Sequence, residues 1–576
     1  MTTEKELTGY PSIDKPWLKY YSEEAINAKM PECTIYEYLW ESNKDYQSNV
    51  ALNYFDRKIT YREVFENIEK AAKAFASVGI KKDDIVVMAT VTTPETIYAV
   101  YALNRIGAVA NMVDPRTSTE GIKEYIVEVN ANFVLCIDVA YPKIEKAING
   151  TAVKKIIITS PADSLPQPKK FIFNVVNKLR GNVPKFGSNC ILWTDMIANG
   201  QDSIYAVAEY QPNMCCVIEH TGGTTGLPKG VMLTDDNFNS AAEQIKNSPL
   251  RLERQDRFLN IMPPFIAYGM VLGIHIALTH GWESIIIPKF DPKDFADLIL
   301  KYQPAGIMGV PTYFEGLMDE PKIKGKDLSC IKVVLVGGDK ALVEFEKKVN
   351  AFFAEHNANI HLSKGYSMTE ASATATFAFE KINKPGSAGI PFAQTIVTAF
   401  DTESGEELPF GESGEICICT PTMMTGYYGK QEETDKVIKK HSDGKMWIHS
   451  GDLGCVDEDG CVYINGRLKR MIIRYDGFKV FPPFIEDVVS MHKAIETCCA
   501  VGTVDKDHVQ GHLPIVFAVL KDGCNADTVK KELFELCQKE LPEYVQPVDF
   551  IFIDKMPLTP IGKVDYRALK KEAEKI

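Results

Sequence analysis

From Asp84 onward, short apolar runs alternate with longer stretches in which apolar residues recur at helical spacing. Residues 85–89 (Ile-Val-Val-Met-Ala) read as a buried strand, Pro94 to Gly107 as a helix packing beside it, and residues 108–113 as the next strand. The same beat recurs at residues 133–137, 155–159, 284–288, 306–310 and 331–336. Strands alternating with helices predict parallel, doubly wound α/β layers. Past Thr395 the texture changes to short alternating runs with Gly-rich turns, such as Gly414-Glu415-Ile416-Cys417-Ile418-Cys419, which predicts a small β-rich subdomain. Beyond Lys469 lie about 100 residues with a strand at 514–520 and a helix at 526–541, an ordinary size for a separate domain. The expected division is a large α/β domain over residues 1–468 and a small α+β domain over residues 469–576.

A chain of 576 residues is too long for a single core. Its 45% hydrophobic and 24% charged content is that of a soluble globular protein. A net charge of −13 disfavours a general nucleic-acid binder. No apolar run approaches the ~18 residues of a membrane span, and the first six residues lack a signal-peptide core, so a cytoplasmic protein is expected. The 14 cysteines are scattered without a Cys-x-x-Cys, so free thiols rather than metal ligands are expected. His508 and His512 are four apart, but Gly511 and Pro514 place them in a loop.

One segment breaks the acidic pattern. Residues 165–186 carry Lys169, Lys170, Lys178, Arg180 and Lys185 and no acid, with Ile172, Val175, Val176 and Leu179 at helical spacing. Two readings stand: a helix packed on its own domain, or a peripheral dock against anionic lipid at the inner face of a membrane.

The chemistry concentrates in five loops. The first, His220-Thr221-Gly222-Gly223-Thr224-Thr225-Gly226-Leu227-Pro228-Lys229-Gly230, has what a polyphosphate needs. Glycines let backbone N–H groups approach oxygens, hydroxyls donate, and an ammonium offsets charge. It is not a Walker A loop, because Pro228 precedes Lys229 and Gly230 follows it. In Gly365-Tyr366-Ser367-Met368-Thr369-Glu370, an aromatic, hydroxyls and a carboxylate suit a base and a hard cation. Ser450-Gly451-Asp452-Leu453 sets a carboxylate after a turn glycine, suited to a ribose diol. Gly466-Arg467-Leu468-Lys469-Arg470 opens the last unit, and Pro557-Leu558-Thr559-Pro560-Ile561-Gly562-Lys563-Val564 lies near its end.

Together and in this order the five resemble the core motifs of the AMP-forming adenylating superfamily: acyl-CoA synthetases, luciferases and adenylation domains. The resemblance implies a small C-terminal domain that closes on the large one about a hinge at Lys469. It implies that Thr221, Gly222, Gly223, Thr224, Thr225, Gly226, Lys229, Gly338, Asp339, Tyr366, Ser367, Asp452 and Arg467 bind ATP and AMP, with Tyr366 on adenine and Asp452 and Arg467 at the ribose. Thr369 touches the α-phosphate, Glu370 with Thr221 serves Mg²⁺, and Lys563 is the adenylation lysine. Ile266, Tyr268, Gly269, Val310, Gly337 and Thr374 are the implied acyl wall, which offers no charged anchor and so favours an apolar acid. Gly477, Phe478 and Lys479 resemble the loop that guides the coenzyme A thiol.

The form of the phosphate loop and the segment from Pro168 to Lys185 look most like bacterial medium- to long-chain fatty acyl-CoA synthetases. The sequence also departs from the family pattern: Ser367 and Phe484 replace a frequent glycine and glutamate, and Ile266 and Asp235 stand where histidines are common. Residues 474–477 run one residue long. These differences bear on acid choice and thioester formation rather than on adenylation. Two other readings are an adenylating enzyme that serves a carrier protein and a nucleotide-binding pseudo-enzyme; the presence of both Glu370 and Lys563 argues against the latter.

Overall fold

The computed structural model describes residues 7–179, 185–221, 228–338, 341–476, 478–506, 508, 511–558 and 564–575. Two large sheets organise most of the chain. One runs, edge to edge, Ser363–Lys364, Val333–Val336, Gly306–Gly309, Arg257–Asn260, Glu283–Ile286, Val50–Tyr54 and Arg57–Thr60. The other runs Gly426–Tyr427, Gly230–Thr234, Cys215–His220, Val109–Val113, Ile85–Ala89, Phe133–Ile137, Lys155–Thr159 and Cys190–Leu192. The strands expected from apolar runs appear within a residue or two, and their pairing is mostly parallel.

Helix Pro94–Ile106 shows why the layers hold. Thr93 accepts the Thr96 N–H at its start, Gly107 closes it with φ 76°, and every helical position except Arg105 is buried. A helix covered all round belongs between layers, where it shares one core with residues of both sheets.

The sheets are not wholly parallel. Cys215–His220 and Gly230–Thr234 pair antiparallel, with His220 opposite Gly230, so the Gly/Thr loop is a hairpin connection. The segment from 221 to 229 is too short for the crossover of a dozen or more residues that parallel strands require.

The β-rich unit after Thr395 is an antiparallel sheet of Ile396–Phe400, Gly414–Cys419, Met446–Val456 and Ile438–Lys440, with Val462–Arg467 also on Met446–Val456. The last hundred residues build their own three-stranded sheet from Ile495–Val504, His512–Leu520 and Asp549–Phe552. Helices Pro482–Ser490 and Ala526–Glu540 cover one face through Ile485, Val489 and Leu533, and Tyr566–Ala573 covers the other through Leu569 and Ala573.

The basic segment forms helix Lys169–Leu179. Phe171 and Ile172 are 65% and 55% exposed and Val175 is exposed too, whereas Val176 is half-buried. Lys169 pairs with Asp56 at 2.6 Å and Lys170 donates to the Asp163 carbonyl, so two of the five charges are already engaged. Arg180 and the side chains of Lys178 and Leu179 lie outside the described residues. Among the described residues no helix is long and apolar enough to cross a membrane. Among the described residues the cysteines are free thiols, and only Cys524 is exposed.

Candidate active site

The base of the Gly/Thr loop is closed by its own backbone. Thr221 N–H donates to the Lys229 carbonyl at 3.1 Å, and Lys229 N–H returns to Thr221 Oγ1 at 3.5 Å. Gly222, Gly223, Thr224, Thr225 and Gly226 lie outside the described residues. Lys229 Nζ sits 2.5 Å from Glu433 Oε2 and 4.7 Å above the ring of Tyr427. Lys229 and Lys436 together hold the Glu433 carboxyl at about 2, well below the usual carboxylate range.

Tyr427 links this loop to the next. Strand Gly426–Tyr427 hangs on the edge of the hairpin strand Gly230–Thr234, with Tyr427 opposite Val231. Its phenol donates to Glu370 Oε1 at 2.6 Å. Glu370 lies on the single turn Thr369–Ala371 and is buried; its own carbonyl accepts the Met424 N–H. Ser372 and Ala373 follow in the left-handed region, at φ 50° and 56°, and Ser372 Oγ donates to the Thr422 carbonyl at 2.9 Å. That reversal points Glu370 back toward the hairpin. The Glu370 carboxylate is a hard oxygen donor of the kind that Mg²⁺ takes.

The third loop is a bulge rather than a free turn. Asp452 lies within strand Met446–Val456, and Gly451 takes φ 70°. Asp452 stands opposite Arg467 and accepts its Nε at 2.9 Å on Oδ1, while Oδ2 accepts the phenol of Tyr366 at 2.6 Å. Burial and the neighbouring Asp452 push the Tyr366 phenol well above its ordinary range, so it remains a donor. Ser367 Oγ turns back onto the Met368 carbonyl. Gly338 takes φ 83° at the end of strand Val333–Val336, and Asp339 lies outside the described residues.

Of the residues read as an acyl wall, Tyr268 and Gly337 meet: a Cβ on Gly337 would stand 3.5 Å from the Tyr268 ring. Val310 caps helix Pro311–Met318 and is buried, Ile266 packs partly buried on the main core, and Thr374 is buried beneath Thr422. Gly269 is tightly packed near the start of the π-helix Tyr268–Ile276: a Cβ there would fall 2.0 Å from the Pro263 carbonyl oxygen.

Lys469 sits between two anchored arginines. Arg467 is held by Asp452, whereas Arg470 donates to Glu486 at 2.6 Å and to the Ala500 carbonyl, with Tyr566 4.8 Å away. Phe478 stacks on Tyr544 at 4.6 Å, and both rings are exposed. Gly477, the Lys479 side chain and Lys563 lie outside the described residues; the bridge Leu558–Val564 closes the loop that carries Lys563.

Sequence reading missed Tyr427 and Glu433. Each stands 57 or more residues from its partner, and no local pattern connects them. It also found no metal-ligand spacing, yet the fold brings ligand atoms of Glu415, Cys417 and His449 within 4.8 Å of one another.

Comparison with known proteins agrees with this geometry. The family described as "AMP-binding enzyme" matches residues 39–428, and the "AMP-binding enzyme C-terminal domain" matches residues 485–563. A long-chain-fatty-acid–CoA ligase of Bacillus subtilis (strain 168) is 30% identical, covering 97% of this chain and 98% of that protein. A long-chain-fatty-acid–CoA ligase of Escherichia coli O6:H1 is 28% identical, over 88% and 90%. The ATP-bound structure of MatB from Rhodopseudomonas palustris has the same fold, with TM-score 0.80 and 22% identity over 93% of this chain and 98% of that one.

Proposed function

Because the chain belongs to the AMP-binding enzyme family, we propose that it is an AMP-forming acid–thiol ligase that activates a medium- to long-chain fatty acid for coenzyme A. The acid's carboxylate attacks the α-phosphorus of ATP, pyrophosphate leaves, and the acyl adenylate then passes its acyl group to the coenzyme A thiol with release of AMP. The observation that carries this reading is the linked pair of carboxylate sites. Glu370 is tied through Tyr427 to the phosphate-loop Lys229, and Asp452 to Tyr366 and Arg467.

In this reading Tyr366 stacks on adenine, Asp452 with Arg467 holds the ribose, and Thr221, Lys229 and the intervening loop cradle the departing phosphates. Thr369 faces the α-phosphate. Mg²⁺ held by Glu370 would neutralise the triphosphate as an anion approaches it. Lys563 bridges nucleophile and electrophile, a role resting on its motif. Residues 469–576 rotate about Lys469, and Phe478 with its neighbours then presents the thiol channel. Two anchored arginines flanking Lys469 support a hinge at that position.

The acid assignment draws on an acyl wall of Ile266, Tyr268, Val310 and Thr374 without a charged anchor, and on the names of the bacterial relatives. Coenzyme A-dependent AMP release with a panel of fatty, aryl and branched acids tests it. A preference for aryl acids would overturn the fatty-acid assignment, and activity only with a carrier protein would overturn the acceptor.

Helix Lys169–Leu179 supports contact with an anionic membrane, where a fatty acid partitions, because Phe171, Ile172 and Val175 face out beside basic residues. Co-sedimentation with anionic vesicles at low salt, lost when Phe171 and Ile172 become Ser, is the expected result. No sedimentation at low salt would end this reading.

A further inference from the structure

The bulge that carries Asp452 is held from behind. Strand Gly414–Cys419 pairs with Met446–Val456 so that Cys417 faces His449 and Glu415 faces Leu453. One residue separates the pair on the first strand and three on the second, so Ser450, Gly451 and Asp452 are pushed out of register. Three side-chain hydrogen bonds fix their path. Ser450 Oγ donates to the Ile416 carbonyl at 2.5 Å and accepts the Asp452 N–H at 3.0 Å. Glu415 Oε1 accepts the Gly451 N–H at 3.0 Å.

The other oxygen of Glu415 is also used. His449 Nδ1 lies 2.8 Å from Oε2, and His449 Nε2 meets His441 Nε2 at 2.9 Å. With Nδ1–H donating to the carboxylate, a neutral His449 accepts at Nε2, so His441 donates there. His441 is itself wedged between Phe400 and Trp447, at 4.4 and 5.6 Å. Burial works against the charge of Glu415, but His449, the Gly451 N–H and Lys439 hold its carboxyl below the usual range. Glu415, Cys417 and His449 are close enough to share a metal ion. Both oxygens of Glu415 are already occupied, however, and burial keeps the Cys417 thiol neutral, so the cluster is a hydrogen-bonded brace.

We propose that Glu415, oriented by His449, is a positioning residue for the nucleotide ribose: it pins Gly451 and so aims the Asp452 carboxylate. The inference rests on the reading of Asp452 as the ribose-diol ligand. Gly451 sits at φ 70°, where a glycine has wide freedom, so without the tether its peptide can rotate and carry Asp452 off its line to Tyr366. A charged group accepting a backbone N–H restricts that freedom more than a neutral one.

The test compares ATP with 2′-deoxy-ATP in ATP–pyrophosphate exchange for wild type and the variants Asp452→Ala, Glu415→Ala, Glu415→Gln and His449→Gln, each checked for an unchanged melting curve. Asp452→Ala is expected to abolish the preference for ATP. Glu415→Ala is expected to raise KM for ATP about tenfold with kcat nearly kept, and to leave KM for 2′-deoxy-ATP nearly unchanged. Glu415→Gln, which retains an acceptor for Gly451, should restore most of the preference, and His449→Gln should fall between. Should Glu415→Ala not fold, the Gln variants carry the same comparison through smaller shifts in the ratio. An equal rise in KM for both nucleotides, or an unchanged ratio alongside a collapsed one in Asp452→Ala, overturns the role of Glu415. An intact preference in Asp452→Ala overturns the ribose reading itself.

Discussion

The phenol of Tyr427 donates to Glu370 at 2.6 Å while the same ring lies 4.7 Å beneath the ammonium of Lys229. One side chain therefore touches both the expected metal carboxylate and the expected phosphate cation. Tyr427→Phe keeps the ring and removes only the donor. A hydrogen bond to a charged group is worth about 1.5–3 kcal/mol. Initial rates at varied Mg²⁺ should show kcat reduced by roughly tenfold or more, with a higher Mg²⁺ requirement and little change in KM for ATP.

In the proposed reading, Glu433, paired with Lys229 in the structure, competes with phosphate for that ammonium. Glu433→Gln should lower KM for pyrophosphate in the reverse reaction, because Lys229 no longer has to leave a carboxylate. The carboxyl titrates at about 2, so its ion pair is complete above that value and is lost only as pH falls through it. Accordingly the difference between wild type and variant should be constant from pH 6 to 8.

If Glu370 holds Mg²⁺ as proposed, Glu370→Ala would remove charge compensation that grows as pyrophosphate departs. Steady-state kinetics should show kcat lowered by about 10²–10³, the typical loss for one transition-state stabiliser. A change confined to KM would place the metal elsewhere.

Lys563 and the loop around Phe478 serve different half-reactions in the proposed cycle. Lys563→Ala should lower ATP–pyrophosphate exchange by about 10²–10³ and leave thioester formation from supplied acyl adenylate nearly intact. A folded variant in which both half-reactions fall together would contradict the division.

Asp235, which follows strand Gly230–Thr234, is a buried acid whose Oδ1 accepts Ile35 N–H and Asn104 Nδ2. Burial pushes its carboxyl up to about 7 against these hydrogen bonds. A raised acid keeps its proton in the fold and loses it in the unfolded chain, so stability falls as pH rises from about 4 to about 7 and is then level. Asp235→Asn keeps an acceptor and removes that penalty. Its melting temperature should exceed that of wild type at pH 8, with a smaller difference at pH 5.

The alternation of apolar runs made the parallel strands legible at 85–89, 133–137 and 155–159, because a strand buried on both faces writes its burial directly into the chain. Motif residues such as Tyr366, Glu370 and Asp452 stood out for a different reason, since each lies in a short stretch of unusual composition. What escaped was long-range. The Tyr427–Glu370 and Glu415–Gly451 contacts join segments whose local sequences say nothing of each other. The bulge at Ser450–Asp452 was read as a turn because a left-handed glycine serves either structure. The close approach of Gly269 to the Pro263 carbonyl, which leaves no room for a Cβ, is likewise a contact that no local pattern announces.

Among the described residues Cys524 is the exposed cysteine, the others being half-buried or buried, and it lies ahead of helix Ala526–Glu540 in the C-terminal unit. A maleimide-linked fluorophore added to the native protein would therefore attach there first. Paired with a second dye on an introduced cysteine of the large unit, it would turn the proposed rotation into a change in energy transfer. The order of ATP, acid and coenzyme A could then be read from light emission in a single mixing experiment.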